Sequence, residues 1–248
     1  MAAYGRLCTH FYDADKPRAP ATEVDWYAAR LPRDAGPVLE AMAGSGRLLL
    51  PLVAHGFNVH GVDSSEAMLT ACEARLIGAG LAAPLFRQDV AALNLPFRYA
   101  AAFVAAGSFQ LIVDPVAAAM TLSRLRAHLI APGTLLLDGF VPAAALHPPG
   151  APMVEVRTVA LRDGTRIALR SETFVDAEGR RIDTTSRYER RDGATILARE
   201  DETLALTWYT EDELVALVRD AGFADVAVEA SPIAATADER RFAVTARA

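Results

Sequence analysis

The sequence predicts an α/β fold: a doubly wound, mostly parallel seven-stranded sheet with helices on both faces, plus an inserted antiparallel β-meander. Two observations support this prediction. Five short apolar runs alternate with helical patterns between residues 36 and 140, an arrangement that gives parallel strands joined by right-handed crossovers. From about 153 to 207, extended-type runs are instead separated by turn signals. A helical pattern and two further runs then close the chain.

The first five strands and the helices between them follow from apolar runs and their breakers. The strand candidates are, in chain order, 38–40, 58–63, 84–89, 101–106 and 134–138. Helical patterns cover about 48–55 and 116–129, and a third helix begins after Ser64 or Ser65, either of which can cap it. Pro51 lies inside the first of these helices, where its missing N–H predicts a lost backbone hydrogen bond and a kink.

After the fifth strand, the sequence pattern changes to one typical of antiparallel strands joined by hairpins. It then returns to the alternation of helix and strand. Turn signals that favour hairpins stand at Asp163-Gly164, Asp176 to Gly179 and Asp192-Gly193. They predict a four-stranded meander. A capping box from Thr210 to Glu213 then opens a helix that Gly222 ends. The last strands are predicted at about 225–229 and 241–247.

Composition excludes several classes of protein. The formal charge of -6 over 248 residues argues against a nucleic-acid surface. No apolar run reaches the roughly 18 residues that span a bilayer, and the N-terminal stretch lacks the apolar core of a secretory signal. Cys8 and Cys72 are too few for a disulfide framework and lack metal-ligand spacing. We therefore expect a cytoplasmic protein without a nucleic-acid or membrane partner.

The segment 38–47 carries the chemistry, because a strand runs there into a glycine-containing turn and then into a helix. Glycines in such a turn let the backbone approach a ligand, and the helix N-terminus offers unpaired N–H groups. Asp63 ends the second strand, 17 residues after Gly46, where a carboxylate can accept hydrogen bonds from both hydroxyls of a ribose. The dinucleotide fingerprint G-x-G-x-x-G is incomplete, because Leu49 stands at the third glycine position. A nicotinamide dinucleotide is therefore disfavoured.

These motifs resemble those of the class I S-adenosylmethionine-dependent methyltransferases. LEAMAGSGR at 39–47 is similar to the first motif of that family, and GVDSSEAML at 61–69 is similar to the second. Further resemblances lie at 87–90, 105–109, 129–135 and 221–223. Together they cover roughly 36–140 and 208–248. One departure is Met42, which stands where most of the family has the first glycine of the loop.

The resemblance implies S-adenosylmethionine as cofactor and a division of labour around it. Glu40 would accept from the ammonium, Asp63 would hold the ribose, and Asp89 would receive the adenine amino group. The implied cofactor-binding residues are Tyr12, Glu40, Ala41, Met42, Gly44, Asp63, Ser64, Met68, Gln88, Asp89, Val90 and Ala106. Simpler interpretations stay open at this stage. Glu40 and Asp89 could be solvated strand ends, Met68 could be core packing, and the aromatic residues of the first 35 could be a hydrophobic staple.

The predicted function is methyl transfer to a small-molecule acceptor, and the alternative is a non-catalytic S-adenosylmethionine-binding protein, which Met42 suggests. Displacement at a sulfonium needs alignment and exclusion of water but no covalent step, so the sequence names no catalytic residue. If the acceptor must lose a proton, the candidate bases are His147, Tyr209, Asp114 and Glu155. The other histidines have no partner at metal-ligand spacing, so we expect no metal.

The predicted organisation has three parts. Residues 1–35 form a helical arm or lid, residues 36–150 and 208–248 form the cofactor-binding domain, and residues 151–207 form the antiparallel insertion. Between 153 and 200 the insertion has ten arginines and nine acidic residues, so it is no polyanion patch. It is expected to wall the acceptor pocket or to form a dimer interface, and the protein to be a monomer or a homodimer.

Overall fold

A computed structural model describes residues 4–142, 152–236 and 239–248. Its strands are, in chain order, β1 Val38–Ala41, β2 Val59–Asp63, β3 Leu85–Arg87, β4 Tyr99–Val104, β5 Leu129–Pro142, β6 Met153–Ala160, β7 Arg166–Asp176, β8 Arg181–Asp192, β9 Thr195–Thr207, β10 Ala224–Ala230 and β11 Glu239–Arg247. Its α-helices are α1 Arg6–Asp15, α2 Ala21–Ala28, α3 Leu49–Ala54, α4 Glu66–Gly78, α5 Pro115–His128 and α6 Glu211–Asp220. Short 3₁₀ helices cover Val90–Ala92 and Ser108–Leu111.

The large sheet confirms the predicted architecture. Its seven strands lie in the order β10-β11-β5-β4-β1-β2-β3, and β1 to β5 are parallel. β11 runs antiparallel to both of its neighbours, β5 and β10. The order reverses between β1 and β4, because β2 pairs with one side of β1 and β4 with the other. In open parallel sheets such a switch point opens a crevice at the carboxyl ends of the strands, where ligands bind.

Helices cover both faces of this sheet, which gives two apolar cores. On one face, α5 and α6 pack against the sheet through residues such as Leu122 and Val218. On the other face, α2, α3 and α4 pack through residues such as Tyr27, Leu52 and Cys72. β4 is buried along its whole length, as a central strand covered on both faces requires. Within the described part of the chain, no helix is long and apolar enough to cross a membrane.

The second sheet is the predicted antiparallel meander, in the order β6-β7-β8-β9. Its apolar contacts include α1, whose Phe11 packs among Ile167, Leu169 and Tyr188. The Glu200 carboxylate on β9 also accepts hydrogen bonds from the first N–H groups of α1, with both N···O distances 3.0 Å. A carboxylate at a helix N-terminus satisfies unpaired donors and favours the helix dipole. The meander therefore fixes the position of the N-terminal arm.

The structure differs from the prediction at Pro51. Pro51 lies in the first turn of α3, where a helix tolerates a residue without an N–H. The Arg47 carbonyl, which an N–H at position 51 would have reached, accepts a hydrogen bond from Ala19 N–H at 3.1 Å. The freed acceptor therefore attaches the N-terminal arm, and the expected loss of a backbone hydrogen bond is made good.

The fifth strand is also longer than the predicted 134–138. β5 runs from Leu129 to Pro142 because β11 pairs with it continuously from Thr134 onward. Its extension beyond Asp138 continues past the end of β4 and stays paired with β11.

Candidate functional site

The turn after β1 is built from left-handed backbone. Gly44 and Gly46 have φ of +55° and +80°, and Met42 has φ of +59°. A side chain at Gly46 would collide with Leu50 and Cys72, which lie 2.5 and 2.6 Å from a Cβ placed there. Glycine is thus required at 46 by conformation and by space. Met42 adopts a conformation that costs a non-glycine residue of the order of 1 kcal/mol.

Asp63, at the end of β2, is fixed by two backbone donors. Its Oδ2 accepts from Gly44 N–H and its Oδ1 from Ser65 N–H, both at 2.8 Å. Burial raises the pKa of Asp63, while hydrogen bonds from the backbone of Ser65, Gly44 and Ser64 oppose the rise. A carboxylate has about four lone-pair sites. With its backbone donors counted, the carboxylate therefore keeps capacity for at least one further donor, such as a hydroxyl group.

Glu40, on β1, is a buried acid with an unused oxygen. The residue is 3% exposed, and its Oε2 has no hydrogen-bond partner among the described residues. Burial raises the pKa of Glu40 well above its ordinary value, and the charge of Arg47 acts in the opposite direction. A buried polar atom left without a partner costs about 1–3 kcal/mol. The position is therefore suited to a cationic or hydrogen-bond-donating group of a ligand.

These residues meet at one cavity of about 510 Å³, within the range of small-molecule sites. Eleven of the twelve residues predicted from the sequence line it: Tyr12, Glu40, Met42, Gly44, Asp63, Ser64, Met68, Gln88, Asp89, Val90 and Ala106. Ala41 is the exception. Neighbouring strand residues point to opposite faces, and Ala41 packs in the core with Leu39 instead of lining the cavity.

One end of the cavity is formed by the loop after β3. The Asp89 side chain caps the 3₁₀ helix through Ala91 N–H at 2.8 Å, and Val90 is buried behind it. The Gln88 amide has a different task, since it both accepts from and donates to the backbone of Asn94, at 2.8 and 3.1 Å. Gln88 therefore shapes the loop, while Asp89 is exposed and lines the cavity.

The N-terminal arm lines part of the cavity, and Tyr4 and Arg47 are two lining residues that sequence reasoning missed. Tyr4 lines the cavity beside Tyr12, with the two rings 6.3 Å apart and edge-on. Arg47 also lines it and forms a two-pronged ion pair with Glu23 on α2, at 2.7 and 2.5 Å. Arg47 follows the glycine turn directly in the sequence, but nothing there links it to an acid 24 residues earlier.

Asp138, on β5, is a further residue that the sequence analysis did not predict. It is 1% exposed, its Oδ1 accepts from Gly107 N–H at 3.2 Å, and its Oδ2 has no partner among the described residues. Burial raises its pKa to about 7. Gly107 follows the cavity residue Ala106, and both have left-handed φ, +69° and +59°. Asp138 thus holds the turn that closes the cavity after β4.

Three of the four candidate bases lie within the described residues, and none of these three is brought to the cavity wall. Asp114 caps α5 through Val116 N–H at 2.9 Å, and Glu155 lies exposed on β6. Tyr209 packs against Phe109, with ring centroids 6.0 Å apart. None of these three lines the cavity, and His147 lies outside the described residues.

A glycine turn after β1, an acid ending β2 and a cavity at this switch point define a class I S-adenosylmethionine-dependent methyltransferase fold. Residues 38–133 match a family model described as a methyltransferase domain. The chain therefore has the fold of this class, and the matched segment resembles a methyltransferase domain. No curated protein sequence matches the chain.

Solved structures agree with this fold over the whole chain. The CcbJ methyltransferase from Streptomyces caelestis has a TM-score of 0.77 and 22% identity, over 100% of this chain and 98% of that one. The sugar N-methyltransferase KedS8 from Streptoalloteichus sp ATCC 53650 has 0.75 and 20%, over 98% and 94%. S-adenosylmethionine-bound CalS10, an amino pentose methyltransferase from Micromonospora echinaspora, has 0.70 and 21%, over 99% and 98%. At these identities the likeness shows the fold.

Proposed function

We propose that the protein transfers the methyl group of S-adenosylmethionine to a small-molecule acceptor. This proposal rests on the presence of two carboxylates, those of Glu40 and Asp63, at one cavity. Glu40 offers a buried oxygen without a partner, and Asp63 is fixed by two backbone donors with capacity to spare. These two groups match two of the polar parts of the cofactor, its ammonium and its ribose.

The residues around the cavity fit the remaining parts of the cofactor. Asp89 caps the 3₁₀ helix with Oδ1, so its second oxygen would receive the adenine amino group while Val90 contacts the ring. Gly44 would let the backbone approach the methionine portion, and Met68 would pack near the adenine. When bound, the cofactor supplies an electrophilic methyl group on a sulfonium.

The protein's contribution would be alignment and exclusion of water. Holding two reactants in line supplies a large part of the rate enhancement for such displacements, and a dry site strengthens every electrostatic contact. The arm is suited to this task because Tyr4 and Tyr12 line the cavity while Arg47 joins it to Glu23. Ala106 would lie beside the sulfonium.

Two observations favour a small acceptor. The insertion pairs most of its arginines with its own acids, as in Arg187 with Asp201 at 2.6 Å, so it presents mixed charge instead of a surface for a polyanion. In addition, KedS8 and CalS10 act on sugars. We propose a soluble, amine-bearing or hydroxyl-bearing small molecule as the acceptor and a cytoplasmic enzyme.

A non-catalytic cofactor-binding protein remains the rival, since Met42 replaces the first loop glycine. Met42 adopts the left-handed conformation of that glycine, and the cavity keeps about 510 Å³. The left-handed turn thus tolerates a methionine without closing. The observation that suggested the rival therefore no longer supports it.

Two measurements test the proposal. Calorimetric titration with S-adenosylhomocysteine should give micromolar binding to the wild type and none to Asp63→Ala, with Asp114→Asn, which keeps a helix cap, as the matched control. Transfer of radiolabelled methyl to any member of a panel of small amines, alcohols and thiols would exclude the rival. Absence of cofactor binding by the wild type would overturn the proposal.

A further inference from the structure

We propose that the acceptor is an amine and that Asp138 is the catalytic residue that takes its proton. The inference rests on the proposed methyl transfer and specifies its acceptor. It follows from the position of Asp138, its unused oxygen and the charges around it.

The sheet places Asp138 next to the reacting end of the cavity. β4 and β5 are parallel neighbours with Val104 opposite Leu137, so Asp138 lies beside Ala105, which lines the cavity with Ala106. The 3.2 Å hydrogen bond from Gly107 N–H to Oδ1 fixes one carboxylate oxygen to the same turn. The second oxygen is thereby oriented without being occupied.

The second oxygen of Asp138, Oδ2, receives no hydrogen bond from any described residue. Asp138 is 1% exposed, and its Oδ2 has no hydrogen-bond partner among the described residues. The hydroxyl of Tyr27 on α2 is also buried and without a partner there. A buried carboxylate without a donor is costly. An ammonium group carries up to three donors, so it would satisfy this oxygen.

Charges on three elements face Asp138. Glu23 on α2 raises its pKa, while Arg241 on β11 and Arg47 before α3 lower it. Tyr27 is close enough for the charge of Asp138 to raise the pKa of its phenol. Burial is the largest effect and brings the pKa of Asp138 to about 7. A general base with a pKa near the working pH transfers protons most effectively.

The chemical step balances as follows. The acceptor ammonium gives one proton to Asp138, which becomes a neutral carboxylic acid, and the nitrogen recovers its lone pair. That pair forms the new N–CH₃ bond as the C–S bond breaks, with its electrons going to sulfur. The products are S-adenosylhomocysteine and a protonated methylamine. Asp138 is not on the cavity wall, so side chains between it and the cavity have to move as the acceptor enters.

The test compares wild type, Asp138→Asn, Asp138→Glu and the control Asp114→Asn. Asparagine keeps an oxygen for Gly107 N–H but cannot take a proton. Transfer of radiolabelled methyl is measured with primary and secondary amines that include D-glucosamine and D-galactosamine, with D-glucose and D-galactose as counterparts lacking nitrogen. kcat/KM is followed against pH for the best amine, and S-adenosylhomocysteine affinity is measured for every variant.

We expect transfer to amines, a loss of about 100-fold or more in kcat/KM for Asp138→Asn, and partial recovery for Asp138→Glu. The wild-type profile should fall below about pH 7, and Asp138→Asn should lose that limb while binding S-adenosylhomocysteine normally. Transfer to sugars without nitrogen only, no transfer to any amine, or an unchanged pH limb in Asp138→Asn would overturn the inference. Lack of S-adenosylhomocysteine binding by wild type would instead overturn the proposed function.

Discussion

Arg47 and Glu23 form a buried ion pair that joins the wall of the cavity to the N-terminal arm. The guanidinium donates to both carboxylate oxygens at 2.7 and 2.5 Å, and Glu23 is 1% exposed. Burial acts to lower the pKa of Arg47, but its hydrogen bond and charge interaction with Glu23, together with the charges of Tyr12 and Glu40, raise it above its ordinary value. The position of the arm over the cavity thus depends on a contact between a helix and a loop that are distant in sequence.

Glu23→Gln should weaken both folding and cofactor binding. Removing one partner leaves Arg47 buried without its countercharge, a change that costs about 3–5 kcal/mol for buried pairs. We expect urea denaturation to show a loss of this order and calorimetry to show weaker S-adenosylhomocysteine binding. Glu66→Gln is the matched control, because Glu66 pairs with Arg87 at 2.6 Å on the exposed surface and should lose less than about 1 kcal/mol. Equal losses in the two variants would contradict this interpretation.

The left-handed backbone at Met42 predicts that glycine is more stable than alanine at this position. Both Met42→Ala and Met42→Gly remove the same side chain, but alanine keeps the cost of φ +59° whereas glycine does not. We expect the glycine variant to be the more stable of the two by about 1 kcal/mol in chemical denaturation. At an ordinary strand position the order is the reverse. An alanine variant as stable as the glycine variant would show that the turn relaxes.

Local patterns in the sequence were enough to predict the sheet, and the resemblance of its motifs to a known family implied most of the residues that line the cavity. LEAMAGSGR and the acid of GVDSSEAML are contiguous motifs, and each sits at the end of a parallel strand. Parallel order then brings Glu40, Asp63 and Asp89 to one edge without further information. Gly44 and Gly46 likewise predict the turn that the structure contains.

Other features could not be predicted because they depend on distant pairs. Asp138 meets Gly107 only because β4 and β5 are neighbours, and Arg47 meets Glu23 only because α2 packs over the loop. Pro51 was misjudged for the same reason, since the carbonyl it leaves free is satisfied by Ala19 of the arm. The role of an individual side chain also cannot be predicted from sequence patterns. The Gln88 amide, for example, hydrogen-bonds to the backbone of Asn94 in its own loop.

Gln110 should be essential for the junction between the two sheets. Its Nε2 donates to the carbonyls of Phe140 and Thr207, both at 2.9 Å, and its Oε1 accepts from Phe140 N–H at 2.8 Å. Gln110→Met keeps the size but leaves three backbone groups without partners, so we expect a loss of about 3 kcal/mol or more in urea denaturation. Gln110→Glu should be at least as damaging, because it sets a carboxylate against two carbonyl oxygens. A loss below about 1 kcal/mol for Gln110→Met would mean that water replaces the amide.

The stability of the folded protein should depend on pH through Asp138. Its pKa is about 7 in the folded protein and about 4 in an unfolded chain, so the folded state binds the extra proton between these values. Stability from this group is therefore greatest below about pH 4 and falls as the pH rises towards 7.

Asp138→Asn removes the titration and leaves the rest of the charge pattern in place. We expect the free energy of unfolding of Asp138→Asn to increase relative to that of the wild type as the pH rises from about 4 to 7. Above that range the difference between the two should stay constant. Urea denaturation at several pH values measures the difference, which cancels the contributions of Glu40 and Asp63. A difference that stays constant across this range would mean that Asp138 is ionised in the folded protein throughout.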